Sequence, residues 1–264
     1  MSTPPTEGHK DVTRETYDVI VVGSGFAGLA AALEASQAGA SVAIIEKMRA
    51  GGGNSIISDG GFAAPGTEFQ QRVGIEDSPE LMYEDMMKAG LGLNYPELVR
   101  TVAENALAAF TWTVDYLGVQ YMDRVDLFGG HSVARSHAAA RISGASIVNP
   151  MIRKARELGI PVLQSCTLQR LLVTDGAASG VQVSFAGDAE EGDTMNSGAA
   201  ARGGAGAGNT RTFHARKGVV LASGGFGADV AFRSAQDPRL SEEIDTTNRR
   251  SATAEGLVEA FRLG

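Results

Sequence analysis

The sequence is poor in cysteine, and this excludes several kinds of site. Its single cysteine, Cys166, leaves no pair for an internal disulfide, and the sequence has neither a C-x-x-C-H haem motif nor a four-cysteine iron–sulfur site. We therefore expect any electron donor to be external to this chain. Cys166 itself is predicted to be a small core residue rather than a reactive thiol.

Basic charge and long apolar runs are also scarce. The sequence has 23 lysines and arginines against 31 aspartates and glutamates, a formal net charge of −8. No nucleic-acid partner is expected, because phosphate binding needs a concentrated basic face. No run of about 18 apolar residues occurs, which predicts no membrane span. Residues 1–14 lack the apolar segment of a secretory signal. We expect a cytoplasmic protein with a disordered tail over residues 1–15.

Glycine is abundant, with 34 residues, and its first cluster lies in a pattern typical of a βαβ unit. Residues 17–22 and 41–46 are short apolar runs rich in β-branched side chains, which predict two buried parallel strands. The alanine-rich segment 25–38 between them predicts a helix, and Gly39 is a natural residue to end it.

The remaining sequence predicts helices first and then mainly strands. Start and stop signals and apolar residues at helical spacing predict helices over 79–88, 96–117, 143–158 and 254–263. Pro150 lies inside the third of these, which predicts a kink or a late start. Short β-rich runs predict a small antiparallel sheet from 162–164, 168–173, 181–185 and 211–215, and a buried strand over 217–222. Residues 186–210 are mostly Gly, Ala, Ser and acids, which predicts a flexible insertion.

The glycines at the first turn form a G-x-G-x-x-G motif. Gly23 permits a tight turn, Gly25 allows close approach of a pyrophosphate to the backbone, and Gly28 allows the helix to pack closely on the strand. The helix N-terminus then offers N–H groups and a positive dipole end to phosphates. Glu46 ends the second strand, where an acid accepts hydrogen bonds from a ribose diol. Strand, turn, helix and acid together predict a dinucleotide site.

A second glycine-rich stretch favours FAD over a nicotinamide cofactor. Glu46 and Lys47 are followed by the sequences GGGNS at 51–55 and SDGG at 58–61. A long FAD molecule needs backbone at close range along its ribityl chain and ring, and glycine allows such an approach. A nicotinamide-binding dehydrogenase is the weaker alternative, and Glu46 would then favour NAD over NADP.

At this point the sequence resembles the flavoprotein subunit of the fumarate reductase and succinate dehydrogenase family, in its soluble, flavocytochrome c-like branch. The matching stretches are DVIVVGSGFAGLAAALEASQAGASVAIIEK, GGGNSIISDGG, FGGHSVARSH, VVLASGGFGAD and TNRRSATAEGLVEAFRLG. The resemblance implies an α/β fold: a Rossmann-like FAD-binding domain with a parallel sheet, helices and a small antiparallel sheet. Residues 16–264 are expected to form this domain in incomplete form, without the family's capping domain.

The resemblance also implies which residues bind FAD. They are Gly23, Gly25, Ala27, Gly28, Glu46, Lys47, Asn54, Ser55, Gly60, Gly61, Leu168 through its main chain, Ser223, Gly224 and Glu255. Two departures from the family pattern matter. No histidine lies in the GGGNS loop, where relatives attach FAD covalently and this sequence has Asn54, so we expect non-covalent FAD. Ala254 replaces a glycine next to Glu255, where its Cβ could crowd the flavin or change the turn.

His131, Arg135 and His137 resemble a catalytic cluster, although loop histidines are more often hydrogen-bonding or surface residues, and no catalytic residue is assigned. In the family, the flavin passes a hydride to an unsaturated carboxylate held by cationic residues. The resemblance places those residues beyond Gly264, so we expect the 264 residues alone not to reduce fumarate. The alternatives are a non-catalytic FAD-binding module, and a relative that acts on urocanate, other enoates or 3-ketosteroids.

Overall fold

The computed structural model describes residues 15–185 and 210–264. The predicted tail and insertion lie, apart from Glu15 and Thr210, outside the described residues, and both stay predictions. The chain divides into two compact units: unit 1 comprises Met1–Gly51 and Gly159–Gly264, and unit 2 comprises Gly52–Leu158. In the described part, no helix is both long and apolar enough to cross a membrane.

The elements are numbered in chain order. The strands are β1 Thr16–Val22, β2 Val42–Ile45, β3 Gly61–Ala63, β4 Ser136–Ala138, β5 Val162–Leu163, β6 Cys166–Thr174, β7 Ala177–Phe185 and β8 Thr210–Leu221. The α-helices are α1 Phe26–Gln37, α2 Glu68–Arg72, α3 Pro79–Ala89, α4 Pro96–Asp115, α5 Ala145–Glu157, α6 Val230–Gln236 and α7 Glu255–Leu263. A short 3-10 helix covers Ser55–Ile57.

Unit 1 is built on one six-stranded sheet with the order β5-β2-β1-β8-β7-β6. The strands β5, β2, β1 and β8 run parallel, whereas β8, β7 and β6 pair antiparallel. The predicted α/β class with parallel and antiparallel parts is confirmed. The antiparallel part continues the parallel sheet through β8, and residues 162–164 were wrongly assigned to it, because β5 pairs parallel with β2.

Strand β8 joins two segments that the sequence predicts as separate strands. Its residues from Thr210 to His214 pair with β7, and those from His214 to Leu221 pair with β1. One long strand therefore serves both halves of the sheet. The exposed charges of Arg216 and Lys217 interrupt its apolar pattern, which is why the sequence suggests a break.

The βαβ unit forms as predicted. Helix α1 buries Gly28, Leu29, Ala32 and Leu33 and packs against β1 and β2. After α1, Gly39 adopts a φ of +81°, a conformation that favours glycine. Cys166 is fully buried in the core of unit 1, as predicted, and burial raises the pKa of its thiol to about 12.

Unit 2 is mainly helical. Ser78 caps α3, since its hydroxyl accepts a hydrogen bond from the N–H of Leu81 at 3.1 Å, and Pro79 follows as predicted. Helix α5 contains Pro150 but begins at Ala145, so the predicted late start is wrong. The turn ahead of Pro150 forms because Ile147 and Val148 are buried and donate hydrogen bonds to the carbonyl of Gly144.

Candidate functional site

The carboxyl ends of three neighbouring parallel strands carry the predicted cofactor residues of unit 1. The strands β2, β1 and β8 lie side by side in the sheet. Gly23 and Ser24 follow β1, Glu46 and Lys47 follow β2, and Ser223 lies two residues after β8. This edge of an open parallel sheet is where such folds bind ligands.

The turn after β1 requires glycine at two positions. Gly23 has a φ of +106°, and a Cβ atom on it would lie 2.2 Å from the carbonyl oxygen of Ala222. A Cβ on Gly28 would lie 2.0 Å from the carbonyl oxygen of Gly23. Both distances are far below contact distance, so the β1 turn, the end of β8 and helix α1 approach each other at backbone range.

Helix α1 begins after a glycine N-cap. Gly25 is its N-cap in an extended conformation, and Ala27, in the first turn, is exposed. Among the described residues, no side chain caps this helix and its first turn holds no acid. Its positive end is thus available to an anion such as a pyrophosphate.

Glu46 is a buried carboxylate held by three donors. Its Oε2 accepts hydrogen bonds from the N–H of Ser24 at 3.2 Å and from the Ser24 hydroxyl, and its Oε1 accepts from the N–H of Met48 at 2.8 Å. The backbone on either side is fixed as well, because Cys166 donates its N–H to the carbonyl of Glu46 at 3.0 Å. A fixed carboxylate that already accepts from a hydroxyl has the chemistry to accept from a ribose diol.

Lys47 and Glu255, both predicted at the site, lie together although 208 residues separate them. The Lys47 Nζ is 3.2 Å from the Glu255 Oε2. Thr253 joins the pair, because its hydroxyl donates to Glu255 at 2.7 Å and accepts from the Lys47 ammonium. Ala254 is buried with a φ of −86°, so the turn does not require the family's glycine.

The other predicted residues of unit 1 have less defined surroundings. Ser223 is half-buried, and a Cβ on Gly256 would lie 2.4 Å from its hydroxyl oxygen. Gly224 is exposed with a φ of +79°. Leu168 is buried in β6, next to an irregularity in the pairing with β7.

The second glycine-rich stretch belongs to unit 2. Gly60 has a φ of +71°, and a Cβ there would lie 2.7 Å from the carbonyl oxygen of Ser143. Asn54 and Ser55 are half-buried at the start of the 3-10 helix, and Gly61 begins β3. The stretch is thus a folded loop whose glycines allow close backbone packing. Its part in binding FAD stays a prediction.

Of the three residues in the suspected catalytic cluster, Arg135 and His137 are fully buried and bonded within the protein. Arg135 is fully buried, with its guanidinium bonded to Asp77 at 2.9 and 2.8 Å and to Asp85 at 2.7 Å. His131 Nδ1 lies 3.1 Å from Arg135 Nη1. His137 lies in β4, fully buried, 4.7 Å from the Phe110 ring and 3.2 Å from the Thr67 hydroxyl.

Both of these histidines favour the neutral form. Burial, with the nearby Arg135 cation, lowers the pKa of His131. Burial is the main cause that lowers the pKa of His137. The two aspartates that neutralise Arg135 were not predicted, because they lie 58 and 50 residues away and only the fold brings them together.

The fold and the sheet edge define a nucleotide-cofactor-binding protein of the Rossmann type. The chain belongs to the FAD binding domain family, whose model matches residues 18–264. The prediction of FAD as cofactor is confirmed.

Three of the curated relatives are named as reductases or oxidoreductases. The chain is 40% identical over 252 residues to the acrylate reductase flavoprotein subunit of Shewanella woodyi, which covers 94% of this chain and 46% of that protein. It is 39% identical over 249 residues to the urocanate reductase of Eggerthella lenta, covering 94% and 38%. It is 35% identical over 260 residues to the NADH:fumarate oxidoreductase of Klebsiella pneumoniae, covering 98% and 26%. The chain thus spans less than half the length of these relatives.

A solved structure shows the same fold. The open conformation of a flavocytochrome c3 fumarate reductase superposes with a TM-score of 0.83 at 32% identity, over 95% of this chain and 41% of that one. The predicted resemblance to the fumarate reductase and succinate dehydrogenase flavoproteins is confirmed.

Proposed function

We propose that this chain is the FAD-binding part of a FAD-dependent oxidoreductase that reduces the carbon–carbon double bond of a small unsaturated carboxylate. The observation that carries this proposal is the identity of 35–40% to three reductases whose names give fumarate, acrylate and urocanate. These three compounds differ in size and charge but share a double bond conjugated to a carboxylate. The electrons would come from an external donor.

The sheet edge of unit 1 fits the cofactor. Gly23 and Gly28 allow the β1 turn, the end of β8 and α1 to pack at backbone range, because a Cβ on either glycine would clash with a carbonyl oxygen, and the start of α1 suits the pyrophosphate. Glu46 would accept hydrogen bonds from the ribose diol. FAD, once bound and reduced, supplies a hydride to a substrate. The remaining predicted contacts, from Leu168, Ser223, Gly224 and Glu255 and from Asn54, Ser55, Gly60 and Gly61, are part of the same proposal.

The proposed attachment of FAD is non-covalent. Residues 51–55, GGGNS, contain no histidine. Asn54 stands where members of the family that bind FAD covalently carry one. An amide side chain is not a nucleophile that forms a stable bond to a flavin. Acid precipitation of the yellow protein should leave a white pellet and a yellow supernatant, and a yellow pellet would refute the proposal.

The reaction is tested by dye-linked assay. Reduced viologen is oxidised in the presence of fumarate, acrylate or urocanate by the 264-residue chain and by any longer gene product that contains it. We expect the longer product to oxidise the dye with at least one of the three compounds. If the longer product is fully occupied by flavin and turns over none of the three compounds, the result would instead favour the non-catalytic FAD-binding module.

A further inference from the structure

The first turn of α7 lies close to two different strand ends. On one side, a Cβ on Gly256 would lie 2.4 Å from the hydroxyl oxygen of Ser223, which follows β8. On the other side, Glu255 and Thr253 contact Lys47, which follows β2. Because β1 lies between β2 and β8 in the sheet, the turn spans the carboxyl end of β1, where the G-x-G-x-x-G turn begins.

Lys47 is directed to this turn by the charges around it. The carboxylate of its neighbour Glu46 accepts hydrogen bonds from Ser24 and from the N–H of Met48. Lys47 instead donates to both carboxylate oxygens of Glu255, at 3.3 and 3.2 Å, and to the Thr253 hydroxyl. Both charged side chains keep partial solvent contact, with exposures of 26% for Lys47 and 45% for Glu255.

The backbone of this turn is fixed by its own hydrogen bonds, since Thr253 donates its N–H to the carbonyl of Ser251 at 3.0 Å and Ala228 donates its N–H to the carbonyl of Ala252 at 3.0 Å. Ala254, the N-cap of α7, has no side chain that can cap the helix. Its N–H donates to Asp229 at 3.3 Å, a long hydrogen bond. The Glu255 carboxylate itself is held by its ion pair with Lys47 and by the hydrogen bond that it accepts from the Thr253 hydroxyl.

We propose that Lys47 is a positioning residue for FAD, acting through Glu255 rather than by touching the cofactor. It holds the Glu255 carboxylate at the carboxyl end of the sheet, in the geometry that binds the dinucleotide. The inference rests on the proposed contact between Glu255 and FAD.

The test measures the dissociation constant of FAD by quenching of flavin fluorescence, at low ionic strength. Lys47→Met should raise it about two- to fivefold, the range expected of a partly exposed ion pair. Glu255→Gln should raise it at least as much, and Lys47→Met added to Glu255→Gln should cost nothing further. Lys47→Arg should restore binding to within about twofold. In 1 M salt the effect of Lys47→Met should shrink, because a Debye length of about 3 Å screens the pair.

A matched control is the ion pair at the opposite end of β1, where Arg216 Nε lies 2.9 Å from Asp18 Oδ1. Arg216→Met should leave the dissociation constant unchanged. Thermal unfolding of the apo forms verifies that each variant is folded, and Thr253→Val provides a second, uncharged way to loosen the same turn.

Three results would overturn the inference: unchanged binding in Lys47→Met, an undiminished cost of Lys47→Met in the Glu255→Gln background, or an equal loss in Arg216→Met. The second result would show that Lys47 contacts FAD directly. Failure of the proposed cofactor site is a separate outcome, seen as normal FAD binding after substitution of Gly28.

Discussion

At the residue scale, the glycines of the first turn are fixed by backbone neighbours. The carbonyl of Ala222 faces Gly23, and the carbonyl of Gly23 faces Gly28. A carbonyl in a packed turn cannot rotate away as a flexible side chain can. The two positions therefore tolerate no side chain, whatever its polarity.

Gly28→Ala tests this constraint. Its Cβ would lie 2.0 Å from the Gly23 oxygen, so we expect the free energy of unfolding to fall by about 1–3 kcal/mol, as in overpacked cores. Affinity for FAD should fall with it. Urea unfolding and flavin titration measure the two effects.

The control is Gly129→Ala, because a Cβ on Gly129 meets nothing within 4 Å and its φ lies outside the left-handed region. That variant should unfold and bind FAD as the wild type does. If Gly28→Ala behaved as the wild type does, the packing of Gly28 against the Gly23 carbonyl would be looser than its geometry indicates.

At the scale of elements, the buried ion cluster around Arg135 connects helix α3 and strand β4 within unit 2. Asp77 precedes α3, Asp85 lies within it, and Arg135 immediately precedes β4. The side chains of Arg135 and Asp77 have no exposed surface. Such a cluster holds a helix and a strand in one arrangement, since separating them would leave charges buried without partners.

Asp77→Asn should therefore be strongly destabilising. It removes the charge that accepts two hydrogen bonds from Arg135, and loss of one partner of a buried ion pair costs about 3–5 kcal/mol. Denaturant unfolding followed by circular dichroism measures the loss. Glu80→Gln is the control, because Glu80 pairs with Arg100 at the surface and should cost at most about 1 kcal/mol. Equal losses in the two variants would contradict the structural role of the cluster.

The same scale shows how far sequence reasoning reaches. The strands and helix of the βαβ unit, and helices α3 and α4, follow from local patterns that their own residues carry. Helix α2 was missed because it has five residues, although the Thr67 and Gln70 capping box was a readable signal. Strands β3 and β4 have three residues each and exist through their pairing with each other.

The candidate site was likewise predictable from the sequence only in part. The glycine motif and Glu46 were predictable because they lie within one short unit of sequence. The contact of Lys47 with Glu255 was not, because it joins residues 208 apart. The sequence predicts both residues at the site, but no pattern in it indicates that they meet.

At the scale of the whole molecule, stability should depend on pH through the half-buried His131 and the buried His137. The pKa values of His131 and His137 are lowered in the folded state from an ordinary value of 6.5. The unfolded chain therefore binds protons more readily, and the contribution of these groups is complete above about pH 6.5. It is lost as pH falls below that value toward the lowered pKa of each group, by at most about 1.4 kcal/mol per pH unit for each histidine.

Urea unfolding at pH 7.5 and 5.5 measures this dependence. We expect a lower free energy of unfolding at pH 5.5, and a smaller difference between the two pH values in His137→Gln. The difference is the readout, because substitution of a buried residue also lowers stability at both pH values. His214→Gln is the control, since His214 is exposed on β8. An unchanged pH difference in His137→Gln would show that His137 does not contribute.

The reactivity of the buried Cys166 thiol reports how often the structure around it opens. Cys166 is the single thiol of the chain, it is inaccessible in the closed sheet, and its backbone N–H is bonded to the carbonyl of Glu46. A thiol reagent can modify it only when the core around it opens, and an opening that breaks the hydrogen bond to Glu46 also loosens the carboxylate proposed to hold the ribose. Modification by a disulfide reagent should be slow in apo protein and slower still with saturating FAD, because the ligand favours the closed form by mass action. The rate of modification, followed by the colour that the reagent releases, would then report how often the structure around Cys166 opens. A rate that does not change with FAD would show that this opening is independent of FAD binding.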